Sequence, residues 1–469
     1  MRNLFYIILF FSFLVSCDLA EESISADPSL SLILSSDTVL FDTLISDSRS
    51  STRRLKVINP NREAIRFGSI ALAKGSDSDF SVVINGRSET RITDQVLSGG
   101  DSILILVEVN VTPRDQDLPY LVKDSVVFNW NGNSADVKLV AYGQDAAKRQ
   151  NEIICDETWI PDRPYLIEGV AIVEENCRLT IAPGTRIFFE NDAILLVQGD
   201  LIADGDSSSQ IIFTSSRFDS GFDQVPGQWQ GIIFGESSNS SIAYTTINNA
   251  VIGVGAGYQL VETDDSFQLL PGSTTDMLQT EIQITNSIIN TCSLAGILAF
   301  NSRISSVNTL IYDCGQFLFG GFAGGDYSLV HNTLSNHPTP FVIEDPSIQF
   351  ADNAILGDEL LIGDLDLNIQ NCILWSSADE ELLISNEAEA NLALDIAGNI
   401  IKSPQEIADN FTSSEIDFPG FSDPFLFDYT LDTLSFAKDK GLGLGILDDL
   451  LGKPRDAFPD IGAYERIEQ

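Results

Sequence analysis

The sequence predicts an all-β protein: an antiparallel β-sandwich over residues 29–146, then a parallel β-solenoid over 152–417 with a C-terminal cap segment, 418–469. Three observations carry that prediction. Short strands of alternating apolar and polar residues recur through the first third, separated by turn residues, as half-buried antiparallel strands do. Further on, apolar runs of four to six residues are bounded by Gly, Asn, Asp and Ser without a helical period, which suits strands buried between neighbouring coils. Six segments also repeat an Asn followed two places later by Ile or Leu, at Asn286, Asn308, Asn332, Asn353, Asn371 and Asn399. The steps between them, 22, 24, 21, 18 and 28 residues, fall near the repeat lengths of roughly 20 to 50 that mark stacked architectures. In such a stack the Ile or Leu enters a continuous core. Each Asn amide is expected to bond the same Asn one rung away.

The chain opens with Arg2, an apolar run from Leu4 to Leu14, and Leu14-Val15-Ser16-Cys17. The run is too short to span a bilayer, which takes about 20 residues, and has the layout of a secretory signal over residues 1–16. Its ending resembles a bacterial lipobox. The resemblance implies cleavage before Cys17, acylation of that residue, and the lipid bilayer as a partner. It places the chain at the cell envelope, on the outer membrane, with its surface or periplasmic face left open. Residues 17–28 are polar and acidic and read as a flexible tether.

In the first domain, Arg54-Leu55-Lys56-Val57-Ile58, Ser102 to Val109, Ser125-Val126-Val127-Phe128 and Ala135 to Val140 are the strands, with Asn131-Gly132-Asn133 turning between the last two. The strand end Val57-Ile58-Asn59, Asp79-Phe80-Ser81-Val82, Ser98-Gly99-Gly100 and the closing Leu139-Val140-Ala141-Tyr142-Gly143 resemble an immunoglobulin-like domain of the abnormal-spindle and hydin type. That resemblance implies a spacer or docking module. A charged linker is expected from Gln144 to Glu152.

The solenoid starts with Leu179-Thr180-Ile181-Ala182-Pro183-Gly184-Thr185-Arg186-Ile187, then Ile194 to Gly199, Ile211 to Ser215, and Pro226-Gly227-Gln228-Trp229-Gln230-Gly231-Ile232. This succession resembles the first coils of right-handed parallel β-helix repeat lipoproteins of bacterial surfaces, a pectin lyase-like fold. Thr245 to Ile247 reads as a rung with Thr for Asn, after which about 20 extra residues between Gly255 and Glu281 must leave the coil as a loop; insertions of this kind gather on one face and often carry binding. The loop holds Tyr258, Asp264, Asp265, Phe267 and Asp276. Cys155 with Cys177 and Cys292 with Cys314 are each 22 residues apart, one coil. Rungs about 4.8 Å apart permit a disulfide, and stacked buried thiols are the alternative. Cys372 is the odd one.

The ending, Ser435 to Gly441, Asp449 to Arg455 and Pro459-Asp460-Ile461-Gly462-Ala463-Tyr464-Glu465, closely resembles a tail common to bacterial β-helix proteins. It is expected to cap the open last coil, with Arg455 and Asp460 as a pair. A surface-sorting signature is the second reading.

Chemistry is thinly marked. Removing residues 1–16 takes away only Arg2 and leaves 25 basic against 68 acidic residues, about −43, which excludes nucleic acid as a partner. Between Phe218 and Ile401 the single basic residue is Arg303, against 23 Asp and Glu, so an anionic polymer is repelled. Glycoside hydrolysis needs two carboxylates about 5 to 9.5 Å apart. Asp364-Leu365-Asp366 places two on one side of a strand, with Asp352, Asp358 and Glu359 nearby, and is the weak catalytic candidate; weak Ca²⁺ binding is its alternative. His331 and His337 are not spaced as zinc ligands, and His331 reads as structural. Tyr258, Phe267 and Trp375 are the candidate aromatic platforms for sugar. No cofactor is expected. The first functional expectation is a monomeric, membrane-anchored, non-enzymatic lipoprotein whose β-helix binds glycan or an envelope protein. The alternative is a carbohydrate-active enzyme, a glycoside hydrolase or polysaccharide lyase acting on a neutral glycan.

Overall fold

A computed structural model describes residues 23–466 apart from 219–220, 236–237, 263–266, 273–279, 337–344 and 357–358, with only the backbone of 260–262 and 267. Cys17, Asp264, Asp265, Asp276, His337 and Asp358 therefore lie outside the described residues, as does the side chain of Phe267. The chain divides into two compact units, Met1–Gln144 and Asp145–Gln469.

The first unit is a β-sandwich. A four-stranded antiparallel sheet of Ile33–Leu34, Arg53–Ile58, Ser102–Val109 and Phe80–Ile84 faces a seven-stranded sheet centred on Ala64–Leu72, Tyr120–Trp130 and Asn133–Gln144. Leu55, Val57, Ile103, Ile105 and Val107 from one sheet meet Ile65, Phe67, Val126 and Phe128 from the other in one core. The hairpin at Asn131-Gly132 holds both residues at positive φ, 45° and 82°, the conformation of a two-residue turn matched to strand twist. Two pairings depart from the expected antiparallel pattern. Thr38–Ile45 runs parallel to Asn133–Gln144, and Ile24–Ser25 runs parallel to Ala64–Ile65, so the tether is tied into the sheet by residue 24.

The second unit is a right-handed parallel β-helix with three faces per coil. The first face is the nine-stranded sheet from Glu157–Trp159 to Leu392–Ala397. The second runs from Arg186–Phe189 through Ile288–Cys292 and Leu310–Cys314 to Phe411–Thr412, and the third from Ile194–Val197 through Ala295–Phe300 and Phe317–Phe322 to Leu382–Ser385. Register keeps like with like: Ile282, Ile304, Tyr327 and Leu367 occupy one inward column of the first face, all 0% exposed. The expected charged linker is instead the opening strand, Ala147–Ile154, which pairs with Tyr165–Val173. Its end is secured by the Cys155–Cys177 disulfide and by Trp159 stacked on Tyr165 at 4.4 Å. Cys292 and Cys314 face each other in register yet remain thiols, as does Cys372. Burial raises the Cys314 thiol well above its ordinary pKa and Cys372 to about 12.

The asparagine ladder is two columns, not one. Strand register aligns Asn286, Asn308, His331, Asn371 and Gly398, each just beyond a first-face strand. All five adopt positive φ, from 48° to 71°, a region Asn tolerates better than most residues and Gly freely. One place later lie Ser287, Thr309, Asn332, Cys372 and Asn399. Asn332 Oδ1 accepts from Thr309 N at 2.7 Å while its Nδ2 donates to Ser306 O at 3.1 Å. Asn399 does the same for Cys372 N and Ile369 O, both at 2.7 Å. The amides thus saturate the backbone of the preceding rung, and the expected Asn-to-Asn bond across one rung forms at the last step, where Asn399 Nδ2 donates to Asn410 Oδ1 at 2.8 Å. Asn353 is off the ladder, because it opens the hairpin Asn353–Leu356 with Glu359–Ile362.

The C-terminal segment lies along the flank at this corner. Asn286 and Asn308 donate to the carbonyls of Asp449 and Asp448; Asn371 donates to Leu442 O and accepts from Leu442 N, both 2.8 Å. Its apolar side chains, among them Tyr429, Leu431, Leu450, Ile461 and Tyr464, cover the outward residues Leu310, Ile373 and Ile400 of the second face. Arg455 pairs with Glu465 at 3.2 Å, both almost fully buried, and meets Asp460 only through its carbonyl. The Asp460 carboxylate instead accepts from the backbone of Asp439 and Arg466.

Candidate functional site

The opposite corner, where the third face turns into the first, collects both insertions. Ala250–Ala256 is followed by the hairpin Tyr258–Glu262 with Phe267–Pro271, and Ile348–Ala351 by the hairpin from Asn353 to Ile362. Three rungs separate these coils, about 14 Å at the spacing of paired strands. The two coils between them turn tightly, through Asn301-Ser302 and Ala323-Gly324. Gly324 sits at φ 78°, and a Cβ there would lie 2.4 Å from the carbonyl carbon of Gly363. That close approach is where the second hairpin returns to the coil.

At these tight turns Phe300 and Phe322 lie on successive rungs, half-buried, ring centres 6.1 Å apart. Phe317 meets Phe322 edge-on, and Tyr258 supports Phe300 in a T-shaped contact at 5.5 Å. Immediately around the corner, Glu281, Arg303, Asp326 and Asp366 form an outward row in register on the first face. Arg303 donates to Asp326 at 2.9 Å and lies 3.7 Å from Glu281, and these hydrogen-bonded carboxylates raise its pKa further. Asp366 is exposed and has no cation beside it among the described residues. The next outward row is Gln283, Ser305, Ser328 and Asn368, with Asn368 Nδ2 donating to Ser328 Oγ at 2.9 Å. The corner thus combines half-buried aromatic faces, a buffered charge row and short hydrogen-bonding side chains.

The residues named from sequence fall elsewhere or only partly here. Asp364 and Asp366 are both exposed and flank the buried Leu365, but Asp364 is held by Asn391 N and Nδ2 at 3.1 and 3.0 Å. The neighbour of Asp366 in register is Asp326. Asp352 is buried and accepts from the backbone of Ala388 and Ala390. Tyr258 and Trp375 are not platforms: they are 7% and 3% exposed, Tyr258 beneath Phe300 and Trp375 against Phe418. Burial raises the Tyr258 pKa. His331 takes an Asn position in the outer column, its Nε2 facing Asn371 Nδ2 at 2.9 Å; burial and the nearby Arg455 lower its pKa to about 3. Arg303 begins a first-face strand, Arg303–Val307. Phe300 and Phe322 were missed, and the available signal was an aromatic at the end of two apolar runs spaced by one coil. Among the described residues, the one group of three candidate metal-ligating side chains is Cys155, Glu174 and Cys177, and its sulfurs form the disulfide.

No family model matches the chain, and no curated protein matches it. Among solved structures it is similar to the catalytic unit of a thermostable GH87 alpha-1,3-glucanase from Streptomyces thermodiastaticus, at 11% identity over 77% of this chain and 76% of that one, TM-score 0.34. It is also similar to pectate lyase Pel9A, at 9% identity over 66% and 88%, TM-score 0.31. The E. coli chaperone DraB matches 25% of this chain at 16% identity, TM-score 0.17, and the chain spans 55% of DraB. Scores at this level carry no argument about activity.

Proposed function

We propose that this protein is an envelope-anchored glycan-binding protein that holds a neutral polysaccharide at the corner between the two hairpins. The single observation that carries the reading is the juxtaposition of Phe300 and Phe322 with the rows Glu281, Arg303, Asp326, Asp366 and Gln283, Ser305, Ser328, Asn368. Aromatic faces accept the apolar face of a sugar ring, and a few placed polar groups fix its orientation. The acidic surface disfavours an anionic polymer. The lipobox resemblance at Cys17 supports anchoring, and the sandwich, with its abnormal-spindle and hydin likeness, serves as the spacer.

A second reading is favoured by one feature: strand register sets the exposed Asp366 beside the half-buried Asp326, which is paired with Arg303, on neighbouring rungs, and a glycoside hydrolase uses two nearby carboxylates. Incubating the purified protein with soluble neutral polysaccharides separates the two. Retardation in affinity electrophoresis without release of reducing ends supports binding alone. Release that Asp366→Asn abolishes establishes hydrolysis, and no retardation on any glycan overturns both.

A further inference from the structure

We propose that the last coil of the β-helix takes up an extended, basic segment of another protein as an added strand. In the inward column of the first face, Leu365 and Leu367 are 0% exposed, whereas their register partners Leu392 and Leu394 on the final strand are 37% and 51% exposed. As a strand, Leu392–Ala397 pairs on one side only, with Leu365–Gln370; no described strand continues the sheet, and its far edge is met near its end by Asn410 Nδ2, which donates to Ile396 O at 2.9 Å. The third face ends at Leu382–Ser385, whose inward residues Leu382 and Ile384 are half-buried where their register partners Ile348 and Phe350 are 0% exposed. The chain's own C-terminal segment covers the outer flank of the second face instead. A strand edge left open above apolar residues is a template for a further strand, which proteins normally blunt with Lys, Pro or a covering loop. Here the final strand carries neither Lys nor Pro.

Charge selects the occupant. Around this coil Asp379, Glu380, Glu387, Glu389, Asp395, Glu406 and Asp409 are exposed. The one cation of the coil, Lys402, is engaged by Ser376 O at 2.9 Å. A second copy of a chain of net charge −42 meets like charge at this edge, whereas a segment alternating apolar residues with Lys or Arg meets both the leucines and the carboxylates.

The test uses the full chain and three fluorescent decapeptides: alternating Val and Lys, alternating Val and Glu, and the first composition interrupted by Pro. The expected result is binding of the Val–Lys peptide alone, weakened at least tenfold by Leu394→Lys, with slowed amide hydrogen exchange at residues 392–397. Leu394 is half-exposed, so that variant keeps its fold, checked by an unchanged melting temperature. Equal binding of the Pro-interrupted peptide, protection elsewhere, or no binding overturns the proposal. A concentration-dependent dimer that Leu394→Lys dissolves overturns it too, by making the occupant a second copy. None of these outcomes touches the glycan reading, whose residues lie on earlier coils.

Discussion

The two corners that bound the first face are built on opposite principles. At the ladder corner the rungs from Asn286 to Gly398 turn the same way: a residue at positive φ, then a small or amide side chain, which at Ser287, Asn332, Cys372 and Asn399 bonds the backbone of the rung before it, with the C-terminal segment laid over the top. At the hairpin corner two insertions flank two tight turns and frame half-buried phenylalanines beside a charge row. Regularity marks the corner that holds the stack together; irregularity marks the one free to recognise a ligand.

Breaking the buried ion pair at the ladder corner has the largest expected effect. Arg455→Met leaves Glu465 charged and buried and costs about 3–5 kcal/mol, read as a lower urea midpoint. Next comes Asn399→Ala, which strands Cys372 N and Ile369 O and costs about 1–3 kcal/mol in all. By contrast Asn353→Ala, on the hairpin, changes stability by no more than about 0.5 kcal/mol. Equal losses at Asn399 and Asn353 in denaturant titrations would erase the distinction between the corners.

Two buried groups give the stack a pH signature. His331 has a folded pKa of about 3 against an ordinary 6.5. Its contribution is therefore fully present above pH 6.5 and is lost as the pH falls toward 3. His331→Asn restores the residue its column uses at positive φ and removes that part of the acid sensitivity. Glu381, buried between the hydroxyls of Ser347 and Ser376, is raised by burial from 4.5 to about 7. The sign is reversed: its contribution is present below pH 4.5 and lost as the pH rises through 7. Glu381→Gln flattens that decline. Melting temperatures across pH 3–8 for both variants check the two slopes separately.

Much of the fold was legible because it rests on repetition. The Asn spacing located the coils, since a turn at positive φ repeated every rung restricts the residue types that fit. It did not show that the pattern mixes two columns offset by one residue, because Asn suits both a left-handed turn and a buried backbone cap. Asn353 matched by chance for the same reason. The tail motif was legible as a cover for apolar surface, but not the flank it covers, which depends on Leu310, Ile373 and Ile400 pointing outward. The site was scarcely legible. Tyr258 and Trp375 are ordinary core aromatics in three dimensions, while Phe300 and Phe322 look in sequence like any other end of an apolar run. Only strand register brings Glu281, Arg303, Asp326 and Asp366 into one row.

At the hairpin corner itself, Phe322→Ala removes a half-buried ring and costs about 1 kcal/mol, less than either ladder-corner change, yet it weakens glycan binding at least tenfold. The most direct measurement is the amide hydrogen-exchange footprint of the protein saturated with the polysaccharide that retards it most. Slowed exchange confined to Phe300–Arg303 and Phe322–Asp326, with residues 440–465 on the ladder flank unchanged, is the result expected. Protection of the ladder flank with none at the hairpin corner would contradict it.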